Sequence, residues 1–517
     1  MNVSLLPIDI LFQLCAALDV NDILSLRQTC KSLCTVTRER CVWHQALISR
    51  FVRSGLPTPG LHETDLTSLP SAALEHLVVC AHRLHSNWTS PRPQATRRAD
   101  IHPTHRAWPA IGARNLAAEF LAGHGGRYLL TLTLFDSSTE SNNRRFSFEC
   151  WDLAAPERPV LLAEFLVASI LGYAVNTEPG YPHVLAVLRR EDDRVMTTTY
   201  TLDFSRPGEN PWFRRMNQFN SYRNTLGIHG KYYFATNPGQ AVYMIDVETG
   251  RLRAEMQVPL VHNDPTIRLP EHQCINFEIF EDFVLTFRKQ WICLYHIPAQ
   301  DPASDPPKLL PIAEYKWRWR IDTIAVSPRR TSRPPGAPPT LDLLIRFDTW
   351  YPWPVNILHH FALSPNPSYT RATYAPADRA TFPYLAAAPP ADSSGPGQAG
   401  DRGQRVVCQV LARGAVAVPA GDELRGLTEL GEDAGDDLVS PGHPAGDVER
   451  MFGASGGQQG AGVLMAQEEH ERWSRVAMCE AEGLVAVGHV DGSVTVLWYA
   501  PPAPSVGEAV GGEVGEA

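Results

Sequence analysis

The pattern closest to a catalytic motif lies at residues 453–457, where Ser455 is at the centre of a Gly-x-Ser-x-Gly sequence. In hydrolases this pattern presents a nucleophilic serine on a sharp turn between a strand and a helix. The surrounding residues 421–462 are rich in glycine and acidic residues, and their sequence predicts neither element. The glycines also lack the lysine and the strand–helix context of a phosphate-binding loop. This stretch therefore predicts neither a nucleophile nor a phosphate site.

Cysteine and histidine supply the candidate metal ligands. Cys15, Cys30, Cys34 and Cys41 are close together in the sequence, and Cys41 and His44 have a ligand-like spacing. No second such pair accompanies them. The alternative is that cysteine fills apolar positions, since free cysteine is among the most buried residue types. The sequence predicts no catalytic set, no metal site and no cofactor.

The first fifty residues predict three or four short helices with apolar residues at helical spacing. Pro7 suits a first helical turn, Asp9 suits the positive end of a helix dipole, and Asn21 could cap a second helix. So small a unit cannot bury enough surface to be firmly stable alone. It nevertheless carries more Leu, Ile and Cys than one small core can hide. Surplus apolar surface of this kind indicates an interface.

The order of residues in this segment resembles the F-box family from Leu6 to Trp43. The matching positions are Leu6, Pro7, Asp9, Ile10 and Leu11, then Leu14, Leu18 and Asp19, then Asp22, Ile23, Leu24, Ser25 and Leu26, then Thr29, Cys30 and Lys31, and finally Val42 and Trp43. The segment departs from the family at Leu33, where many members carry an aromatic residue. It departs also at the polar pair Arg27 and Gln28.

This resemblance implies that the segment binds a Skp-family adaptor, which links it to a cullin scaffold. Six residues are the adaptor-facing candidates by position: Leu6, Pro7, Ile10, Leu11, Leu24 and Leu26. Trp43 could equally be an internal anchor. The alternative is a plain helical cap on the following domain, with the same leucines buried within the chain.

The middle of the chain predicts many short strands separated by turn residues. The clearest runs of β-branched and aromatic residues are 128–135, 146–153, 197–204, 241–247, 283–287, 291–297 and 341–347. No long amphipathic helix is predicted between them. This pattern is typical of an antiparallel sandwich, barrel or propeller.

Two segments resemble WD-repeat blades and favour the propeller. Residues 483–498 read as two strands joined by the hairpin signal Asp491-Gly492, and Gly123-His124 is followed by Trp151-Asp152. Weaker blade ends occur at 202–204, 244–246, 294–296 and 359–361. Counting these ends, with one further blade allowed around residues 405–418, predicts about seven blades.

The predicted architecture is multidomain, with a small all-α domain before an all-β propeller. Residues 1–51 are the F-box domain, and 52–111 are a helical and Pro-rich connector. Residues 112–500 are a degenerate β-propeller with disordered insertions near 391–404 and 421–462. Residues 501–517 are a disordered tail.

This organisation predicts a protein that recruits a target and does no chemistry itself. The F-box would make it the substrate-recognition subunit of an SCF-type ubiquitin ligase, with an unknown protein target on the propeller. The net charge of −10 argues against nucleic acid as a partner. The sequence contains no run of about 18 apolar residues, so no membrane span is predicted. A cytoplasmic or nuclear location is expected. The alternatives are a propeller-based enzyme and an adaptor-bound interaction protein without a degradation target.

One basic segment could bind an acidic target. The basic run is Arg329-Arg330 with Arg333. It is preceded by Lys316, Arg318 and Arg320, whose alternation with Trp317 and Trp319 predicts a strand with one charged face. Such a face could instead be a solvated strand surface with no partner.

Overall fold

The computed structural model describes most of the two predicted domains. The described residues are 6–61, 66–104, 110–137, 144–155, 158–191, 194–203, 212–221, 224–237, 240–258, 272–298, 305–317, 320–328, 336–347, 358–375, 378–384 and 473–500. In this part of the chain, helices come first and strands follow. None of the described helices has the length and apolarity needed to cross a membrane.

The described residues of the N-terminal domain form five α-helices and one π-helical turn. The helices are α1 (Ile8–Ala17), α2 (Val20–Arg27), α3 (Lys31–Thr37), α4 (Arg40–Ala46) and α5 (Ser71–Trp88), and the π-helical turn is Leu47–Val52. Asp19, rather than Asn21, caps α2, because its carboxylate accepts a hydrogen bond from the Val20 amide at 2.8 Å.

The strands form six sheets in the described residues, and these are the blades of a β-propeller. Blade 1 contains β2 (Ala110–Phe120), β3 (Tyr128–Ser137), β4 (Arg145–Asp152) and β5 (Val160–Val167). Blade 2 contains β6 (Gly172–Val175), β7 (Leu185–Glu191), β8 (Arg194–Asp203) and β9 (Trp212–Asn220). Blade 3 contains β10 (Asn224–His229), β11 (Tyr232–Thr236), β12 (Val242–Asp246), β13 (Leu252–Met256) and β17 (Lys308–Leu309).

The other three sheets are blades 4, 5 and 6. Blade 4 contains β14 (Cys274–Phe280), β15 (Phe283–Arg288), β16 (Trp291–His296) and β18 (Ala313–Lys316). Blade 5 contains β19 (Ile321–Pro328), β20 (Leu341–Phe347) and β21 (Leu358–Leu363). Blade 6 contains β22 (Trp473–Cys479), β23 (Leu484–His489), β24 (Val494–Trp498) and β1 (Arg97–Ile101).

The prediction of an all-α domain before a propeller is confirmed, and about seven blades is close to the six observed. Each of the predicted blade ends lies at or within the third strand of a blade, namely β4, β8, β12, β16, β21 and β24. The further blade allowed around 405–418 lies outside the described residues. So do the predicted insertions 391–404 and 421–462 and the tail 501–517.

The first and last strands of the propeller close the ring. β1 pairs with β24 in antiparallel register from Arg97↔Trp498 to Ile101↔Val494. β1 lies within the segment 52–111, so the chain enters the propeller before the boundary predicted at 112. The Asp491-Gly492 hairpin is where the sequence places it, and Gly492 has φ +85°, which favours glycine.

The basic segment at 316–320 does not form one strand. β18 ends at Lys316, whose ammonium group lies 5.2 Å from the ring centroid of Trp291. Trp317 packs in an apolar cluster, with its ring 4.9 Å from that of Phe361. Arg318 and Trp319 lie outside the described residues.

Candidate functional site

The N-terminal helices pack around one buried tryptophan. Trp43 is 0 % exposed, and its indole Nε1 donates a hydrogen bond to the Thr37 carbonyl at 2.9 Å. Ile23, Leu47 and Leu74 are fully buried in the same cluster. Trp43 is therefore an internal anchor of this domain, which was one of the two roles that the sequence left open.

Helix α5 completes this core although it lies beyond the first fifty residues. Its residues Leu74, Val78 and Ala81 are fully buried against the cluster around Trp43. The four short helices therefore bury more apolar surface than they could among themselves, because α5 packs against them.

An ion pair fixes α5 to the smaller helices. The guanidinium group of Arg27 contacts both carboxylate oxygens of Glu75, at 2.6 and 2.8 Å, and its Nη2 donates to the Thr37 carbonyl at 3.1 Å. The same guanidinium lies 5.6 Å from the ring centroid of Trp43. Paired hydrogen bonds of this geometry are stronger than single neutral ones. Arg27, a departure from the family pattern, therefore has a structural role here.

Glu75→Gln is expected to lower the free energy of unfolding of the helical domain by about 1–3 kcal/mol, because it removes one charged acceptor from the half-buried Arg27. Chemical denaturation followed by far-UV circular dichroism measures the change. Glu39→Gln is the matched control, because Glu39 is exposed and its side chain makes no capping hydrogen bond. Equal stabilities for the two variants would contradict the role given to the Arg27–Glu75 pair.

The six predicted adaptor-facing residues do not have the same surroundings. Leu11 is only 3 % exposed and forms a cluster with Leu33 and Val36, against which Leu6 and Leu26 pack half-buried. Leu24 is half-buried against the larger core around Trp43. The structure therefore brings Leu6, Leu11 and Leu26 together.

Two isoleucines at the start of α1 are the most exposed large apolar side chains among the described residues of the domain. Ile10 is 44 % exposed, and Ile8, which the sequence comparison did not single out, is 52 % exposed. Pro7 before them is also exposed. The position of Ile8 in the sequence does not predict its exposure, because residues three apart such as Ile8 and the buried Leu11 lie on the same face of a helix. The adaptor-facing role of all these residues remains a prediction.

The second half of α5 packs on the propeller. Leu84 and Trp88 are buried with Val485 and Leu497 of blade 6, and the ring of Trp88 meets the edge of Tyr499 at 6.3 Å. A Cβ atom at Gly483, where φ is +65°, would come within 2.6 Å of a Leu84 methyl group. This contact requires glycine, because any side chain would displace Leu84 or α5.

Polar contacts strengthen the same junction. The Gly60 amide donates to both carboxylate oxygens of Glu482, at 3.0 and 3.1 Å. Asn87 Nδ2 donates to the Tyr499 carbonyl at 3.1 Å. Helix α5 thus belongs to both domains and fixes the helical surface relative to the propeller.

One carboxylate of the propeller bears on the enzyme alternative. Burial raises the pKa of Glu278 to about 7, and no opposing charge contributes to this shift. Glu278 lies at a small cavity with the apolar residues Phe280, Phe283 and Leu341. The described lining offers no second acid, base or nucleophile except the Tyr384 hydroxyl, which donates to the Pro339 carbonyl at 2.6 Å. A lone desolvated carboxylate does not form a catalytic pair.

The cysteines near the N-terminus differ in exposure. Cys15 is buried, whereas Cys30 and Cys41 are exposed. Within the described ranges, no three side chains of His, Cys, Asp or Glu come together as a metal site would require.

Comparison with known proteins identifies the helical domain. A family model described as F-box-like matches residues 3–49, which include α1 to α4. No curated protein matches the chain.

Proposed function

We propose that the chain, whose residues 3–49 match an F-box-like family model, is the substrate-recognition subunit of an SCF-type ubiquitin ligase. An F-box joined to a β-propeller fits a substrate receptor of the adaptor type in general. The F-box would bind a Skp-family adaptor and, through it, a cullin scaffold. The propeller would bind the target protein. The complex would act in the cytoplasm or the nucleus.

The observation that carries this proposal is the exposed apolar surface at the start of α1. Ile8 and Ile10 keep about half of their surface in solvent, although neighbouring residues of the F-box core are buried. Exposed large apolar side chains on a domain whose core is already buried indicate an interface with another protein. Burying such a surface against an apolar adaptor face would be favourable by about 25 cal/mol for each Å² removed from water.

Helix α5, which packs in both domains, supports a model in which the F-box binds the adaptor and the propeller binds the target. Its first half lies in the F-box core and its second half on blade 6, so that the adaptor surface and the propeller keep a fixed separation. A receptor of this kind raises the effective concentration of the target near the ubiquitin-carrying enzyme. No chemistry by the receptor itself is needed, and F-box proteins are generally non-catalytic adaptors.

Affinity purification followed by mass spectrometry tests the proposal. The full chain and a variant lacking residues 1–51 are expressed with the same tag in the same cells. We expect the adaptor and cullin with the full chain alone, and the target with both. Target proteins should accumulate in cells that carry the deletion.

Two results would contradict this function. The F-box would have another role if the adaptor purified equally with both chains. A non-degradative interaction protein is indicated if the adaptor binds but no bound protein changes its turnover.

A further inference from the structure

Lysine is scarce in this chain, although it is among the commonest residues of soluble proteins. Only five of the 46 basic residues are lysines, and the others are arginines. The five are Lys31, Lys231, Lys289, Lys308 and Lys316. No lysine occurs in residues 32–230 or 317–517. All five lie among the described residues, so the structure shows the surroundings of every lysine in the sequence.

The proposed ligase would hold this chain, as well as its target, beside the ubiquitin-carrying enzyme, and the inference rests on that proposed function. The lysines of the chain are then at a high effective concentration relative to the ubiquitin thioester. In the transfer, a lysine ammonium group releases one proton to water, and its Nζ attacks the thioester carbonyl carbon. A C–N amide bond forms, the C–S bond breaks, and the departing thiolate takes a second proton from the nitrogen. Arginine stays protonated and does not react in this way.

Lys31 lies beside the surface proposed for the adaptor. It is the first residue of α3, and Leu33 of the same helix packs with Leu11. Leu6 and Leu26, two of the adaptor-facing candidates, pack half-buried on that cluster. An adaptor bound to these residues lies next to Lys31 and shields its amine from the ubiquitin-carrying enzyme.

Three lysines of the propeller are hindered by their surroundings. The Nζ atom of Lys231 lies 5.3 Å from the ring centroid of Tyr232, and that of Lys316 lies 5.2 Å from the ring centroid of Trp291. Such contacts stabilise the charged ammonium group rather than the neutral amine that attacks a thioester. Lys231 is also half-buried, and so is Lys289. None of these three amines is as available for attack as an exposed amine without a partner.

Lys308 differs from the other propeller lysines in exposure and in position. Its side chain is exposed, and no acidic or aromatic side chain of the described residues pairs with its ammonium group. It lies in β17, a two-residue strand at the edge of blade 3. Two backbone hydrogen bonds hold this strand, from the Glu255 amide to the Pro307 carbonyl at 3.0 Å and from the Gln257 amide to the Leu309 carbonyl at 2.8 Å. So short an edge strand opens locally at a low cost in free energy, which presents Lys308 to an enzyme.

We propose that Lys308 is the principal ubiquitin acceptor on this chain, and that the scarcity of other acceptors slows modification of the receptor by its own ligase. An arginine in place of a lysine keeps the positive charge without providing an acceptor amine. The receptor then survives many cycles in which its targets are modified. Its lifetime in the complex depends on one exposed site at the edge of blade 3.

A reconstituted ligase tests this assignment. The full chain is assembled with the adaptor and the cullin and supplied with ubiquitin and its activating and carrying enzymes, without a target. Lys316→Arg is the matched control for Lys308→Arg, because Lys316 is also exposed and lies in a strand of the neighbouring blade. We expect self-modification to be at least about 5-fold slower in the Lys308 variant and within about 2-fold of the unchanged chain in the control. Mass spectrometry of tryptic peptides should find the ubiquitin remnant mainly on Lys308.

Acetylation of the isolated chain by an N-hydroxysuccinimide ester measures the same amines without a ligase. Lys308 should react at least about 5-fold faster than Lys231 and Lys289, because it alone of the three is exposed. Slow acetylation of Lys308 would overturn the proposal, and so would equal self-modification of both variants or a main remnant on another amine.

Size-exclusion chromatography of the same samples with the adaptor separates two kinds of failure. A complex that forms, but whose self-modification does not depend on Lys308, contradicts this inference alone. A chain that does not bind the adaptor contradicts the proposed function, and the inference falls with it.

Discussion

Ile10→Asp is expected to abolish binding of the chain to a Skp-family adaptor. Ile10 is 44 % exposed at the start of α1, so the substitution leaves the F-box core intact. A carboxylate buried in an apolar interface costs roughly 3 kcal/mol, which weakens the Kd by more than about 100-fold. Isothermal titration calorimetry of purified chain and adaptor measures the effect directly.

The choice of residue matters for this experiment. Leu11→Asp would also abolish binding, but Leu11 is buried with Leu33 and Val36, so loss of folding would explain the result equally well. Ala72→Asp is a suitable control, because Ala72 is exposed in the first turn of α5, where a negative charge is favourable. Unchanged affinity of the Ile10 variant would remove the start of α1 from the proposed interface.

Deleting residues 476–498 is expected to abolish the cooperative unfolding of the propeller. The deletion removes β23 and β24, leaving β1 without its partner. It also exposes the apolar cluster in which Ala486, Val494 and Val496 pack against Leu129 and Trp151 of blade 1. The lost burial is comparable with the total stability of a domain, about 5–15 kcal/mol. Differential scanning calorimetry should show no cooperative transition.

A shorter truncation distinguishes ring closure from the mere loss of residues. Removal of residues 501–517 leaves every strand of blade 6 and its pairing with β1. Its transition temperature should match that of the full chain within a few degrees. A closed ring would be the wrong description if the deletion of 476–498 melted as cooperatively as the full chain.

The F-box was predictable because its pattern is local. The helix starts and the apolar spacing lie within fifty residues, and each depends on neighbours in the sequence. The sequence could not assign burial within that pattern. Ile10 and Leu11 are adjacent aliphatic residues of similar size. The packing of α1 against α3 buries Leu11 and leaves Ile10 in solvent.

The contribution of α5 was less predictable for a related reason. Arg27 and Glu75 form an ion pair although they are 48 residues apart in the sequence. The residues around either one do not indicate that the two side chains will meet. In the sequence, Arg27 was therefore only a departure from the family pattern. The structure shows its role, because it places Glu75 beside it. For the packing of α5 on the propeller, the clearest sequence signal was Gly483. A glycine before a predicted strand indicates a positive φ or the close approach of another element, and here Leu84 of α5 is that neighbour.

By itself, the sequence determined an F-box, a repeated strand pattern and the third strand of each blade, since periodicity and turn residues act over a few positions. The tertiary structure alone decided how distant segments pair. Arg97 lies in a Pro- and Arg-rich stretch that reads as a connector, yet it is the first residue of the strand that closes the ring. Its partner Trp498 is about 400 residues away, and such a pairing forms only when the intervening blades bring both strands together.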